Sequence, residues 1–172
     1  MTDELEIERR WILRSLPNLK WHSDPVTREV GYIFNDHGEL RVVCKHKKKG
    51  RSYQLTVKDD GGLVRNEWQE KIPEWSFKVL WPKTKDRRLT VARHIKYIDD
   101  NKLEFDVYQG RFSGLIKLEC EFNGRADASQ FEMPSWFDVV CEVTEDIRFN
   151  NKNLAALDSF EASSLVKKAL VS

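Results

Sequence analysis

The stretch ELEIERRW, residues 4–11, decides the fold. Read as an extended chain, it sets Glu4, Glu6, Glu8 and Arg10 on one side. Leu5, Ile7, Trp11 and Leu13 share the other side, with only Arg9 interrupting them. One face is greasy and the other ionic. The pattern returns along the chain. In IKLECEF (116–122), Lys117, Glu119 and Glu121 alternate with Ile116, Leu118, Cys120 and Phe122. LVRNEWQEKI (63–72) groups Arg65, Glu67, Gln69 and Lys71, and LRVVCKH (40–46) offers Arg41 and Lys45. QLTVKD (54–59) offers Lys58, while EFDVY (104–108) puts Glu104 and Asp106 together.

The remaining segments extend the series. REVGYIF (28–34), SYQLTVKD (52–59), RLTVARHIKYI (88–98), KLEFDVYQG (102–110), SGLIKLECEF (113–122) and VVCEVT (139–144) read as strands. NDHG (35–38), KKGR (48–51), DDGG (59–62) and IDDN (98–101) are the turns between neighbours. A short helical turn is expected in WILRSLPNL (11–19) before Pro17. Helical periodicity is otherwise confined to 74–81, 127–132, 150–157 and 161–171. The expected architecture is mainly β: an eight-stranded antiparallel closed barrel with short peripheral helices and a C-terminal helix. Closure removes the edges that would otherwise pair with other chains.

With 172 residues the chain suits one domain spanning 1–172. No Gly/Pro-rich break or repeat divides it. Lys plus Arg, at 29, nearly cancels Asp plus Glu, at 28, which argues against a protein that coats nucleic acid. The run KHKKKGR (45–51) is more simply a solvated hairpin tip. No apolar run approaches the roughly 18 residues of a membrane helix, and the start is acidic, so a cytoplasmic protein without a membrane partner is expected. Cys44, Cys120 and Cys141 are odd in number and widely spaced, which suggests neither a disulfide framework nor zinc.

For any single strand, a polar face is most simply the solvated outside of a barrel. The set is less ordinary. Glu6 with Glu8, and Glu119 with Glu121, stack like charges two residues apart, and nothing within a strand repays that repulsion. A bound cation does. Carboxylates without His or Cys are a ligand set for hard Mg²⁺ or Mn²⁺, while Arg and Lys across the same space hold phosphate oxygens. Ionic faces turned inward would line a polar tunnel filled by a polyphosphate and its metal.

The order of these motifs resembles the CYTH superfamily, the triphosphate tunnel metalloenzymes, and its compact bacterial members most closely. EIERRW (6–11) looks like the ExExK signature, with Glu6, Glu8 and Arg10 in the marked places. GELRVV resembles the RxR strand, SYQLTVK the LT-K strand, GGLVRNEWQ the RxExE strand and RRLTVARH the K-x-R strand. LEFDVYQGRFSGLIKLECEF resembles the stretch ending in ExE, and MPSWFDVVCEVTEDIRFNNKNLA the family's finish. The likeness runs from residue 6 to about 155, leaving 158–172 as a helical extension that would cover one tunnel end.

The resemblance implies an eight-stranded tunnel that binds a triphosphate-containing small molecule with Mg²⁺ or Mn²⁺. Its carried-over metal side is Glu6, Glu8, Glu67, Glu119 and Glu121. Its phosphate side is Arg10, Arg41, Lys58, Arg65 and Arg93, with Arg148 as a further candidate. For hydrolysis it implies a metal held by Glu6, Glu8, Glu119 and Glu121 that orients water and polarises a terminal phosphoryl group, while Lys58 and Arg65 stabilise the leaving polyphosphate. Four positions depart: Arg10 stands where the family has lysine, Val43 and Val91 replace cations, and Gln69 replaces a glutamate. The implied activity is phosphohydrolysis of inorganic tripolyphosphate or a related triphosphate. Two alternatives stay open, a non-catalytic binder with a degenerate site and a class IV-type adenylate cyclase. Either a monomer or a homodimer is compatible with the sequence.

Overall fold

The computed structural model describes residues 3–21, 23–34, 38–59, 64–98 and 101–171, and within them the side chains of all but residues 3–6, 34 and 65. The period-two segments become nine strands: β1 (Asp3–Leu13), β2 (Val26–Phe34), β3 (Glu39–Lys47), β4 (Gly50–Lys58), β5 (Val64–Ile72), β6 (Arg88–Ile98), β7 (Asn101–Tyr108), β8 (Ile116–Glu121) and β9 (Val139–Glu142). Four helices sit between or after them: α1 (Glu74–Leu80), α2 (Arg125–Gln130), α3 (Asn151–Ala156) and α4 (Ser159–Val171). The turns NDHG, DDGG and IDDN fall largely outside the described residues.

All pairings are antiparallel, in the order β5-β4-β3-β2-β6-β7-β8-β1-β9. A further ladder between β1 and β5, from Asp3↔Trp68 to Ile7↔Val64, returns the sheet to its starting strand and closes a ring of eight. The second half of β1 pairs with β8 from Glu8↔Glu121 to Leu13↔Ile116. Its last residues also pair with β9. That double pairing explains why Trp11–Leu13 continue the strand instead of starting the helical turn expected before Pro17: both backbone edges are already occupied.

Alternation then sorts the side chains. On the outer face, Trp11, Leu13, Leu103, Phe105 and Leu118 pack beneath α2, whose Ala128 joins the same cluster. A second outer cluster unites Val42 and Cys44 with Phe77 of α1. The inner face divides in two. Ile12, Val30, Tyr32, Val43, Leu89, Val91 and Tyr108 form an apolar layer that merges with Leu154 and Ala155 of α3 and Ala162, Val166 and Ala169 of α4. Because inner-face residues touch these helices, α3 and α4 plug one end of the barrel. The expected role of the C-terminal segment as a cover follows from this small-residue stripe at helical spacing. Charged and polar residues, Gln54 and Thr56 of β4 among them, line the rest of the interior.

Gly31 on β2 is where the wall meets the segment after α1. A Cβ there would lie 2.5 Å from Thr84 Oγ1 and 2.7 Å from its Cβ. Thr84 cannot retreat, since its hydroxyl donates to Trp81 O at 2.8 Å and accepts from Arg88 Nε at 2.8 Å. Gly31→Ala should therefore lower stability by about 1–3 kcal/mol, the cost of overpacking a filled core, read as a shift of the urea midpoint at unchanged slope.

Candidate active site

Three groups of charged side chains occupy the interior, each built by cross-strand register. The first lies on β6, β7 and β8. Arg93 faces Asp106, which faces Lys117; Glu104 faces Glu119, and Lys102 faces Glu121. Arg93 is the hub. Its Nε and Nη2 donate to the two oxygens of Asp106 at 2.6 Å, its Nη2 reaches Glu119 at 3.1 Å, and its Nη1 pairs with Glu104. A planar guanidinium with five donors in a fixed fork can take one carboxylate bidentately and still serve two more.

The surrounding cations complete this group. Lys117 Nζ lies 3.0 Å from Glu119 and donates to Asn151 Oδ1 at 2.8 Å, while Lys102 bridges Glu104 at 2.8 Å and Glu121 at 3.0 Å. Asp106 and Lys117 are almost wholly sealed from solvent. Burial alone would raise the Glu119 and Glu104 carboxyls. Instead Lys117 and Arg93 hold Glu119 well below the usual carboxylate range, and Arg93 and Lys102 lower Glu104. Burial also pulls the Lys117 ammonium down, against the raising effect of Glu119.

β1 joins this wall through Glu8, directly opposite Glu121, and Arg10, opposite Glu119. Arg10 is buried but turned toward structure. Its Nη2 donates to Thr144 O at 2.5 Å, its Nη1 to Asn150 Oδ1, and its Nε lies 3.7 Å from Glu8. Expected on the phosphate side, Arg10 instead ties β1 to the segment after β9. A guanidinium long enough to reach those carbonyl acceptors is the physical reason it settles there.

The second group lies on β3, β4 and β5. Arg41 pairs with Glu39 at 3.0 Å, and Lys58 pairs with Glu67. Register sets Glu39 opposite Lys58 and Lys58 opposite Glu67, so the four form one patch. The backbone of β1 continues it, with Glu4 opposite Glu67 and Glu6 opposite Arg65. The side chains of Glu6 and Arg65, both expected in the site, lie outside the described residues. Gln69 is exposed and accepts a hydrogen bond from Gln54 Nε2 through its own Oε1.

The third group is the pair Arg28 and Lys45, directly opposite each other on β2 and β3. Neither makes a hydrogen bond or ion pair among the described residues, and Arg28 Nε is buried without a partner. Burial, then the neighbouring guanidinium groups Arg93 and Arg41, pushes Arg28 down to about 10. Burial, then Arg28 and Arg93, pushes Lys45 down to about 8.

Two other expectations change. Arg148 does not reach the interior: its side chain is 69% exposed and pairs with Asp146 at 2.6 Å. Asp146 caps the short helical turn 147–149, which keeps Arg148 local. Val43 and Val91, at 0% and 1% exposure, belong to the apolar plug rather than the charged space. Arg28 and Glu39 were not nominated from sequence, although both share the period-two face of a nominated strand. The flanking Val30 and Tyr32 disguise the inner face of β2 as apolar.

A separate cluster lies on the outer face. Glu29 sits opposite Cys44, and His46 Nε2 lies 2.5 Å from Glu29 Oε2 and 3.5 Å from Cys44 Sγ. Alternation puts these three on the opposite side of the sheet from Arg28 and Lys45.

An eight-stranded antiparallel barrel with a charged interior and a helical plug defines a tunnel protein, and comparison with known proteins agrees. No family model matches. The chain is 37% identical over 153 residues to the inorganic triphosphatase of Nitrosomonas europaea, covering 87% of this chain and 96% of that protein. A crystal structure of an inorganic triphosphatase superposes with a TM-score of 0.64 at 33% identity, covering 89% of this chain and 95% of its own. A putative adenylyl cyclase from Hippeastrum, described as having a dominant triphosphatase activity, shares the fold at 14% identity, TM-score 0.52, over 72% of this chain and 82% of that one. The chain belongs to the CYTH superfamily of triphosphate tunnel proteins.

Removing the hub has a clear expected cost. Arg93→Met strands Glu104, Asp106 and Glu119 beside one another and should destabilise by about 3–5 kcal/mol in urea denaturation at neutral pH. The acid limb carries a second signature. Glu104 and Glu119 have lowered folded-state values, so their stabilisation is present above the unfolded value of about 4.3 and is lost as pH falls below it. The Glu119→Gln variant should lose part of that acid-limb slope.

Proposed function

We propose that this chain is a metal-dependent triphosphatase acting on inorganic tripolyphosphate or a closely related triphosphate, releasing orthophosphate and pyrophosphate. The observation that carries the reading is the inner wall, where Glu8 faces Glu121 and Glu104 faces Glu119. Like charges directly opposite each other on adjacent strands repel; Arg93, Lys102 and Lys117 offset part of that charge, and the all-oxygen acidic wall they leave suits a cation site. The identity of the 37% relative supports the same reading.

The donor set is all oxygen, which fits Mg²⁺ or Mn²⁺ better than a softer ion. Glu8, Glu119 and Glu121 would hold it, with Glu6 and Glu67 completing the set. Such a metal supplies Lewis-acid polarisation of the phosphoryl oxygens and a lowered pKa for water. The chain's own groups do the rest. Arg41 and Lys58, with Arg65, receive the polyphosphate and stabilise the charge that collects on the leaving pyrophosphate. Arg93 holds the acid wall in place so that carboxylates and bound phosphate keep their separation. Arg10 fixes β1 against the segment around Thr144 and so positions Glu8. The apolar plug closes one end and excludes bulk water from that side.

No helix among the described residues is long and apolar enough to cross a membrane.

Phosphate release from tripolyphosphate should require Mg²⁺ or Mn²⁺. It should fall by about a hundredfold or more in the Glu119→Gln, Glu121→Gln double variant, as expected when charge stabilisation is removed from a phosphoryl-transfer site. Product identification from ATP separates the alternatives: cyclic AMP with pyrophosphate would mean a cyclase, and binding without any product a non-catalytic tunnel.

A further inference from the structure

Most cations of the described interior are neutralised by a carboxylate. Arg93 has three, Lys102 has two, Lys117 has Glu119, Arg41 has Glu39 and Lys58 has Glu67. Arg28 and Lys45 break the rule. They face each other across β2 and β3, and no carboxylate lies within ion-pairing reach of either among the described residues; Glu104 and Asp106 attract Arg28, and Glu104 attracts Lys45, only at longer range. Two like charges at one register position, one with a buried unpartnered Nε, cost stability. Groups retained at such a cost are the expected mark of a binding site awaiting an ion of opposite sign.

Register also shows what the pair replaces. Arg28 lies directly opposite Val91 on β6 as well as opposite Lys45 on β3. Val43 is two residues from Lys45 on the same face and opposite Val30. The two tunnel positions where the chain carries valine instead of a cation thus immediately adjoin two cations that have no hydrogen-bonded or ion-paired carboxylate among the described residues.

We propose that Arg28 and Lys45 form an anion seat for one phosphoryl group of the bound polyphosphate, taking over the positive charge absent at Val43 and Val91 from neighbouring positions on the same inner face. This rests on the triphosphatase reading and specifies where its substrate binds. The guanidinium of Arg28 offers a fork to two phosphate oxygens, and Lys45 adds a point charge across the strand gap. Arg93, whose field both groups feel, stays committed to Asp106, Glu104 and Glu119. The valines contribute by contact: as part of the plug they give the seat an apolar floor, which strengthens charge recognition above it.

Two readouts test this, each on the full chain. The first is thermal unfolding without ligand. Arg28→Met and Lys45→Met should melt at the same temperature as the parent or higher, because each removes an unpaired charge; a clear fall for both would make the pair structural and overturn the proposal. The second is calorimetric binding of tripolyphosphate, pyrophosphate and ATP. Each variant should bind tripolyphosphate at least about tenfold more weakly, the value of a charged hydrogen bond. Adding Val91→Lys to Arg28→Met should recover much of the loss. Affinities within twofold of the parent in both single variants overturn the seat while leaving the triphosphatase reading intact. If the parent binds ATP through Arg28 but neither binds nor cleaves tripolyphosphate, the seat stands and the substrate reading fails. A parent that binds none of the three anions overturns both.

Discussion

A charged side chain cannot stay ionised inside a protein without an opposite charge or water to hold it, and most of the interior of this barrel follows from that constraint. Arg93 is its centre. Three carboxylates from β7 and β8 converge on one guanidinium, and the lysines at 102 and 117 balance what remains. The ring of strands supplies the geometry, since closure through β1 and β5 brings faces that are far apart in sequence to opposite sides of one space. Without the pairing the barrel would have an interior it could not afford; without the barrel the pairs would be ordinary surface bridges worth little.

The same constraint divides the tunnel. Where α3 and α4 enter, the lining is Val, Ile, Leu and Tyr, and it packs as a core. Beyond it the lining is ionic. Val43 and Val91 stand at this boundary and belong to the apolar plug. Arg10 is a comparable case, keeping its charge but directing it to the carbonyl of Thr144 and the amide oxygen of Asn150.

Much of this was legible in the sequence because strand alternation is a strict rule. Six segments with matched ionic faces, among a series of alternating strands long enough to close, pointed to an antiparallel barrel, and Glu8, Arg41, Lys58, Arg93, Glu119 and Glu121 do face its interior. What the sequence concealed depends on partners. Arg28 is one cation among Val30 and Tyr32, and only its register opposite Lys45 and Val91 gives it a role. Arg148 carries the right charge in a matching motif, yet Asp146 two residues away satisfies it at the surface. The end of β1 stays extended because β9, more than a hundred residues downstream, supplies its second edge, a partner no local pattern reveals.

The central claim is that metal and polyphosphate meet inside the barrel, between an acidic wall and a basic one. A crystal structure of the protein with Mn²⁺ and tripolyphosphate, with the metal located by its anomalous signal, tests it most directly. The account predicts manganese beside Glu8, Glu119 and Glu121, with phosphate oxygens on Arg41, Lys58, Arg28 and Lys45. Manganese found only at the outer cluster of Glu29, Cys44 and His46, or tripolyphosphate bound outside the barrel, would contradict it.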